Sequence, residues 1–290
     1  MDAMEPTPFS RWIRINLKDA YSGLIAQDID SILHFPDTGR MYVIEEKHHR
    51  NARIGVPQAV IYVALDALLN LYNQYVQNKE VLYGGCFLVY YNADGHLTVI
   101  QGTSRVEMDM DHFLNRLRCG TIESSIPAFK NNITHNLHIM WDCRGTPPIR
   151  KTEPERSGKR FPSIFTNCEG CCVTGIDWLF VNYCSGLMVS VNEVSHQNRN
   201  WQQHQLIRKL VYMLKQGSKL NFQLRVASNC KSGKLYRYIG HYDLSYEALS
   251  DNEITNVSLN GTALYRDDII KLLNLECSES WREIALYDDN

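Results

Sequence analysis

Residues 26–49 read AQDIDSILHF, PDTG and RMYVIEEKHH in succession. The first and third segments alternate apolar and polar residues, and the tetrapeptide between them favours a turn, so the stretch predicts a β-hairpin. With the turn centred in PDTG, Asp30 lies opposite Glu45 and Asp28 lies opposite Lys47. Side chains two residues apart on a strand share a face. The hairpin therefore predicts one patch that carries all four charged groups.

The chemistry of this patch has two interpretations. Facing carboxylates repel each other, so Asp30 opposite Glu45 costs free energy unless a cation lies between them. Oxygen ligands of this kind suit Mg²⁺ or Mn²⁺. The alternative is an ordinary solvated hairpin in which Lys47 offsets the charge of one carboxylate.

The same residues resemble a known family. Asp30 followed by Glu45-x-Lys47 resembles the motif of the PD-(D/E)XK nuclease superfamily. At the start of the next predicted helix, Gln58 and Tyr62 resemble the Gln-x-x-x-Tyr motif of its RecB and lambda-exonuclease branch. The resemblance implies a restriction-endonuclease-like α/β fold and a metal-dependent nuclease.

The resemblance also implies roles for the charged residues. The carboxylates of Asp30 and Glu45, with the backbone carbonyl of Glu46, would hold the metal, Mg²⁺ or Mn²⁺. Such a metal lowers the pKa of bound water and stabilises charge in the transition state of phosphodiester cleavage. Lys47 would position the hydroxide and offset phosphate charge.

The expected substrate-binding residues flank this motif. By resemblance, Gln58 and Tyr62 lie on the helix that contacts nucleic acid, and one helical turn separates them. His49 and Arg50 come two and three residues after Lys47 and are candidates for phosphate contacts. The alternatives are a polar helix face for Gln58, a core position for Tyr62 and a surface position for the histidine.

An internal repeat appears when the sequence is shifted by 147 positions. The matched pairs are Asp30 with Asp177, Glu46 with Glu193, His49 with His196 and Gln58 with Gln205. Beyond the following helix the best shift falls to 138, which matches Gly95 with Gly233 and predicts strands over 221–229 and 234–240.

The second copy lacks three of the expected functional groups. Asn192 stands in place of Glu45, Val194 in place of Lys47 and Lys209 in place of Tyr62. A neutral amide is a poor metal ligand, and valine cannot orient a hydroxide. The second copy is therefore expected to keep the fold without the chemistry.

The repeat and the strand pattern predict two domains. Residues 1–146 form a nuclease-like domain and residues 147–290 a degenerate copy, with the Pro- and Gly-containing stretch 147–158 as the linker. Strand pairs that alternate with helices predict an α/β architecture in which each domain has its own mixed central sheet flanked by helices. A further strand is predicted over 137–141.

Composition limits the cellular setting and the partners. The 290 residues carry a net charge of −2, which argues against constitutive coating of DNA. No run approaches the ~18 apolar residues of a membrane span. The acidic start and an odd count of nine cysteines predict an intracellular protein, in the cytoplasm or nucleus.

Two functions follow from the sequence. The first is a Mg²⁺-dependent nuclease, with DNA favoured over RNA as the substrate and with the second domain binding substrate or completing a pseudo-dimer. The alternative is a catalytically inactive nuclease-fold protein that acts as a nucleic-acid-binding or assembly factor. The intact Glu45-x-Lys47 favours the enzyme, whereas the mild acidity favours the alternative.

Overall fold

The computed structural model describes residues 6–17, 23–48, 52–92, 95–140, 163–166, 168–183, 185–194, 200–220, 223–224 and 234–275. The predicted linker 147–158 and the candidate residues His49 and Arg50 lie outside these ranges. The chain is a mixed α/β protein in which helices flank one large mixed sheet.

The elements of the first half begin with a short helix and the predicted hairpin. They are α1 (Pro8–Asn16), β1 (Leu24–Phe35), β2 (Arg40–Lys47), α2 (Val56–Tyr75), β3 (Leu82–Tyr91), β4 (Leu97–Gln101), β5 (Ser104–Met108), α3 (Met110–Cys119) and α4 (Ile126–Met140). The strand expected over 137–141 is wrong, because residues up to Met140 belong to α4.

The elements of the second half are β6 (Cys172–Asn182), β7 (Leu187–Glu193), α5 (Trp201–Ser218), β8 (Gln223–Leu224), β9 (Lys234–Leu235), β10 (Arg237–Ala248), β11 (Ile254–Leu259), β12 (Thr262–Ala263) and α6 (Arg266–Leu273). From β6 to α6 the second half repeats the element order of β1 to α3, with two short strands inserted after its first long helix.

The hairpin register is the one that the sequence predicts. β1 and β2 are antiparallel, and Ser31 pairs with Ile44 in a ladder that continues to Phe35 and Arg40. The second hairpin has the same register 147 residues later. There Trp178, the counterpart of Ser31, pairs with Val191.

One ten-stranded sheet contains both halves, in the order β12-β11-β10-β7-β6-β1-β2-β3-β4-β5. The expectation of a separate central sheet in each half is therefore wrong. β1 and β6 pair antiparallel, and Ile29 faces its own counterpart Ile176. The two halves are thus related by a pseudo-two-fold axis between these two isoleucines. The pairing of β1 with β6 covers the strand edge that each hairpin would otherwise expose.

The order of strands outward from this axis is the same in both halves. β2 pairs parallel with β3, as β7 pairs parallel with β10, and two antiparallel strands follow in each case. The counterpart of β3 is therefore β10, so the expected shift of 138 is wrong. Of the strands predicted over 221–229 and 234–240, residues 223–224 and 234–235 form a separate two-stranded sheet, and β10 begins at Arg237.

Helices cover both faces of the sheet. On one face, α2, α4 and α5 bury a core to which both halves contribute, with Tyr62 and Phe129 from the first half and Leu210 and Met213 from the second. On the other face, Phe113 of α3 packs in the first half, whereas Trp12 of α1 packs in the second half. The first helix of the chain thus lies on the sheet of the other half.

Candidate active site

The candidate site lies in the fork where β1 and β2 separate. Beyond the pair of Ser31 with Ile44, β1 continues along β6, while residues 45–47 of β2 continue along β3. The N-terminal turns of α2 lie against this fork. Pro57 stands in the first turn of that helix, where its missing N–H costs nothing.

Glu45 is the centre of the site. It is 1% exposed, and it forms an ion pair with Lys47 at 2.5 Å between Oε1 and Nζ. Gln58 donates to Oε1 at 2.5 Å, and the hydroxyl of Tyr62 donates to Oε2 at 2.6 Å. Lys47 also donates to the Gln58 side-chain oxygen at 3.1 Å. The two motifs of the sequence therefore form one hydrogen-bonded network.

Asp30 lies beside this network. Its Oδ2 accepts a hydrogen bond from the backbone N–H of Glu46 at 2.7 Å. Burial of the carboxyl group raises the pKa of Asp30 well above its usual range, and the charges of Glu45, Asp28 and Glu46 raise it further. Asp30 and Glu45 are thus close enough to repel each other, as the register predicts.

The other groups respond to the same crowding. Burial raises the pKa of Glu45, although the Lys47 ammonium opposes that rise. Burial alone would lower the pKa of Lys47, but the neighbouring carboxylates, led by Glu45, outweigh burial and raise it. Burial and the charge of Glu45 raise the pKa of Tyr62 well above 10.0. Lys47 is therefore protonated and Tyr62 is a hydrogen-bond donor at neutral pH.

The donor set fits a divalent cation of the magnesium type. Mg²⁺ uses one or two carboxylates and keeps several waters, and Asp30 and Glu45 supply two carboxylates whose mutual repulsion such an ion would relieve. Within the ranges that the structure describes, no cluster of three or more His, Cys, Asp or Glu side chains is placed to hold a metal. A site here would therefore rest on two side chains, backbone oxygen and water.

Gln58 and Tyr62 take positions that differ from their expected roles, whereas Glu46 is expected to contribute only its backbone. The Glu46 side chain points to the opposite face of the sheet, where it bonds Ser31, so only its backbone reaches the site. Gln58 and Tyr62 are buried and bond Glu45. In this conformation they support the carboxylate and present no free face to a substrate.

The second half keeps the frame of the site. Asp177 accepts from the backbone N–H of Glu193 at 2.9 Å, just as Asp30 accepts from Glu46. Asn192, which replaces Glu45, accepts from the backbone N–H of Asp177 at 3.2 Å and lies 2.9 Å from the His241 ring. Val194 replaces the lysine and is half exposed. The fork is thus preserved without the acid–lysine pair.

Sequence reasoning missed two neighbours of the site. Tyr90 pairs with Lys47 across the β2–β3 ladder. The Arg105 guanidinium lies 5.2 Å from the centre of the Tyr90 ring. Ser163 bonds Glu46 from a distant part of the chain. One sequence pattern could have indicated the contact between Ser163 and Glu46. A hydroxyl residue stands two positions before a phenylalanine both in Thr7–Phe9 and in Ser163–Phe165.

The fold and this site define an internally duplicated α/β protein with a carboxylate–lysine cluster at one of two equivalent forks. An uncharacterized protein of Archaeoglobus fulgidus is 30% identical over 141 residues, which make up 90% of that protein and 47% of this chain. The chain belongs to the family of that archaeal protein. A second uncharacterized protein of the same organism is 27% identical over 141 residues, 90% of its length and 45% of this chain. The chain matches no family profile and no solved structure.

One further observation concerns membranes. No helix in the described ranges is long and apolar enough to cross a bilayer.

Proposed function

We propose that this protein is a metal-dependent nuclease of the PD-(D/E)XK type, with a restriction-endonuclease-like arrangement in its first half, and that it hydrolyses phosphodiester bonds of nucleic acid, DNA in preference to RNA. The network of Glu45 with Lys47, Gln58 and Tyr62, beside Asp30, carries the proposal. It combines both motifs of the resemblance in one place.

Each residue of the site has a role in this proposal. Asp30 and Glu45, with the backbone carbonyl of Glu46, would hold Mg²⁺ or Mn²⁺. When bound, the metal would supply an activated water and stabilise charge on phosphate. Lys47, protonated and 2.5 Å from Glu45, would orient the attacking water and offset phosphate charge. Gln58 and Tyr62 hold the Glu45 carboxylate in its orientation.

A second function has a specific observation in its favour. Glu45 already has hydrogen-bonding or ionic partners on both oxygens. A carboxylate satisfied in this way is also what a catalytically silent member of the fold would need for stability. In that case the protein would bind nucleic acid, or act in assembly, without cleaving.

Lys47→Ala distinguishes the two functions. Single- and double-stranded DNA and RNA are incubated with the wild type and the variant, with Mg²⁺, with Mn²⁺ and with chelator. We expect metal-dependent cleavage by the wild type and a loss on the order of 10²–10³ in rate for the variant, as for other electrostatic groups at reacting centres. The folded state is checked by circular dichroism.

The internal repeat provides a matched control. Asp30→Ala should eliminate cleavage, whereas Asp177→Ala, at the equivalent position beside Asn192, should leave turnover nearly intact at saturating substrate. Equal losses of turnover in two folded variants would contradict the assignment of the active half. Binding of nucleic acid without cleavage by the wild type would establish the second function instead.

A further inference from the structure

Glu46 stands between Glu45 and Lys47 in the sequence, but its side chain makes contacts outside the candidate site. Its side chain is 6% exposed and points away from Glu45 and Lys47. It accepts hydrogen bonds from Ser31, from the Ser163 hydroxyl at 2.7 Å and from the backbone N–H of Ile164 at 2.9 Å. The last two donors belong to the second half of the chain.

The other half contains an equivalent contact, in which a buried glutamate of the second half accepts a hydrogen bond from a residue of the first half. Glu193, the counterpart of Glu46, is 1% exposed and accepts from Trp178 at 2.7 Å and from Tyr246 at 2.8 Å. The hydroxyl of Thr7 donates to it at 3.1 Å. Thr7 belongs to the first half, so each half extends a segment onto the sheet of the other.

These segments are two exchanged arms, which we define as Thr7–Phe9 and Ser163–Phe165. Each begins with the hydroxyl that bonds the glutamate and ends with a fully buried phenylalanine. Phe9 packs between Trp178 and Tyr246, with ring centroids 6.2 and 5.8 Å away. Phe165 packs against Phe113 at 5.9 Å. Aromatic burial of this size anchors each arm in the opposite half.

We propose that the second arm is part of the support of the active site, with Ser163 and the Ile164 N–H as positioning groups for the end of β2. This inference rests on the proposed nuclease function for its catalytic consequence. At the fork, the end of β2 no longer pairs with β1. The second arm contacts this strand end on the opposite face of the sheet, through the Glu46 side chain. The backbone N–H of the same residue holds Asp30 at 2.7 Å.

The physical consequence is a dependence of one half on the other. Without the arm, the buried Glu46 carboxylate loses two of its hydrogen-bond donors and keeps only that of Ser31 among the contacts described above, which is unfavourable for a buried charge. The end of β2 can then shift, and Glu45 and Lys47, which flank Glu46 on this strand, shift with it. Misplacement of catalytic groups by about 1 Å can lower turnover ~100-fold, so even a partial loss of support should be measurable.

Ser163→Ala and Thr7→Ala form a matched pair in the full chain, because each removes one arm hydroxyl from one buried glutamate. Both should lower the melting temperature. Only Ser163→Ala should lower kcat, by roughly tenfold with KM unchanged. Hydrogen exchange at the Glu46 amide, measured without substrate, should accelerate about tenfold in Ser163→Ala and not in Thr7→Ala. Ser163→Thr should restore both values.

The outcomes separate the two proposals. Unchanged kcat and unchanged Glu46 exchange in a destabilised Ser163→Ala protein would overturn the positioning role and leave the arm a structural contact. If the wild type does not cleave, yet Glu46 exchange still depends on Ser163, the nuclease function fails while the support of the strand by the arm stands. Equal effects of Thr7→Ala on Glu46 exchange would also overturn the inference.

Discussion

At the scale of single residues, the candidate site gathers several carboxylates around the ammonium group of Lys47, within the part of the chain that the structure describes. Glu45 has Lys47, Gln58 and Tyr62 as partners, whereas Asp30 accepts a hydrogen bond from the backbone N–H of Glu46. The pKa of Asp30 is accordingly raised, first by burial and then by Glu45. Buried carboxylates that repel each other lower the stability of the fold at neutral pH. A bound cation would offset this repulsion, so the arrangement is compatible with a cation site.

Asp30→Asn tests this loss of stability. A raised pKa means that the folded state still holds a proton that the unfolded chain has released, so stability falls as the pH rises from the unfolded pKa of Asp30 through its folded value. The amide keeps an acceptor for the Glu46 N–H but carries no charge. We expect the variant to melt higher at pH 7.5 without divalent ions, on the order of 2–4 °C, and to match the wild type more closely at pH 4.

The control for that experiment is Asp177→Asn. Asn192, which stands where Glu45 stands in the first half, is uncharged, so Asp177 lacks the repulsion that Glu45 exerts on Asp30, and a smaller rise in melting temperature is expected. Mg²⁺ should raise the melting temperature of the wild type and not of Asp30→Asn, since only the native wild type would bind it. Identical pH–stability curves for wild type and Asp30→Asn would contradict the explanation.

At the scale of elements, the β1–β2 hairpin and its register could be predicted because turn residues and alternation are local signals. The closeness of Asp30 and Glu45 also followed from that register, although the ladder itself ends one residue earlier, at Ser31 and Ile44. The strand expected over 137–141 failed because a short apolar run fits a helix as well as a strand. The shift of 138 failed because turn glycines recur in unrelated hairpins. The pairing of β1 with β6 joins residues far apart in the chain and leaves no local pattern.

The contact of α2 with α5 is a second feature that the sequence does not reveal, and it can be tested at Gly217. A Cβ on Gly217 would lie 2.1 Å from the backbone oxygen of Leu68, which cannot move without shifting α2. Gly217→Ala should therefore destabilise the protein by about 1–3 kcal/mol, the usual cost of overpacking. The measurement is chemical denaturation of the full chain.

Gly55→Ala serves as the comparison, since its nearest atom, Pro57 Cδ, would be 3.6 Å from the new Cβ. That distance is an ordinary contact, so a change within about 1 kcal/mol is expected for an N-cap position. A Gly217→Ala protein as stable as the Gly55→Ala protein would show that the two helices are less closely packed than the structure indicates.

At the scale of the whole molecule, the chain has the symmetry of a homodimer within one polypeptide. Ile29 faces Ile176 across the axis, the strand order is repeated on both sides, and the two arms are exchanged. A two-fold dimer places the same patch of each subunit against its copy. Once both copies are covalently linked, one can do without the acid–lysine pair, as Asn192 and Val194 in place of Glu45 and Lys47 illustrate, while it still completes the sheet and contacts the other.

This symmetry leads to a prediction about the half-length relative. The 141 aligned residues make up 90% of the Archaeoglobus protein and 47% of this chain, so that protein has room for one copy of the repeat. A single copy would expose the edge of its first strand and leave a buried glutamate without the donors of an arm, both of which are costly. We therefore expect the archaeal protein to form a two-fold dimer, measurable as twice the chain mass by light scattering. The present chain should have the mass of one polypeptide under the same conditions. A stable, folded monomer of the archaeal protein at micromolar concentration would contradict the inference that a single copy of the repeat needs a partner.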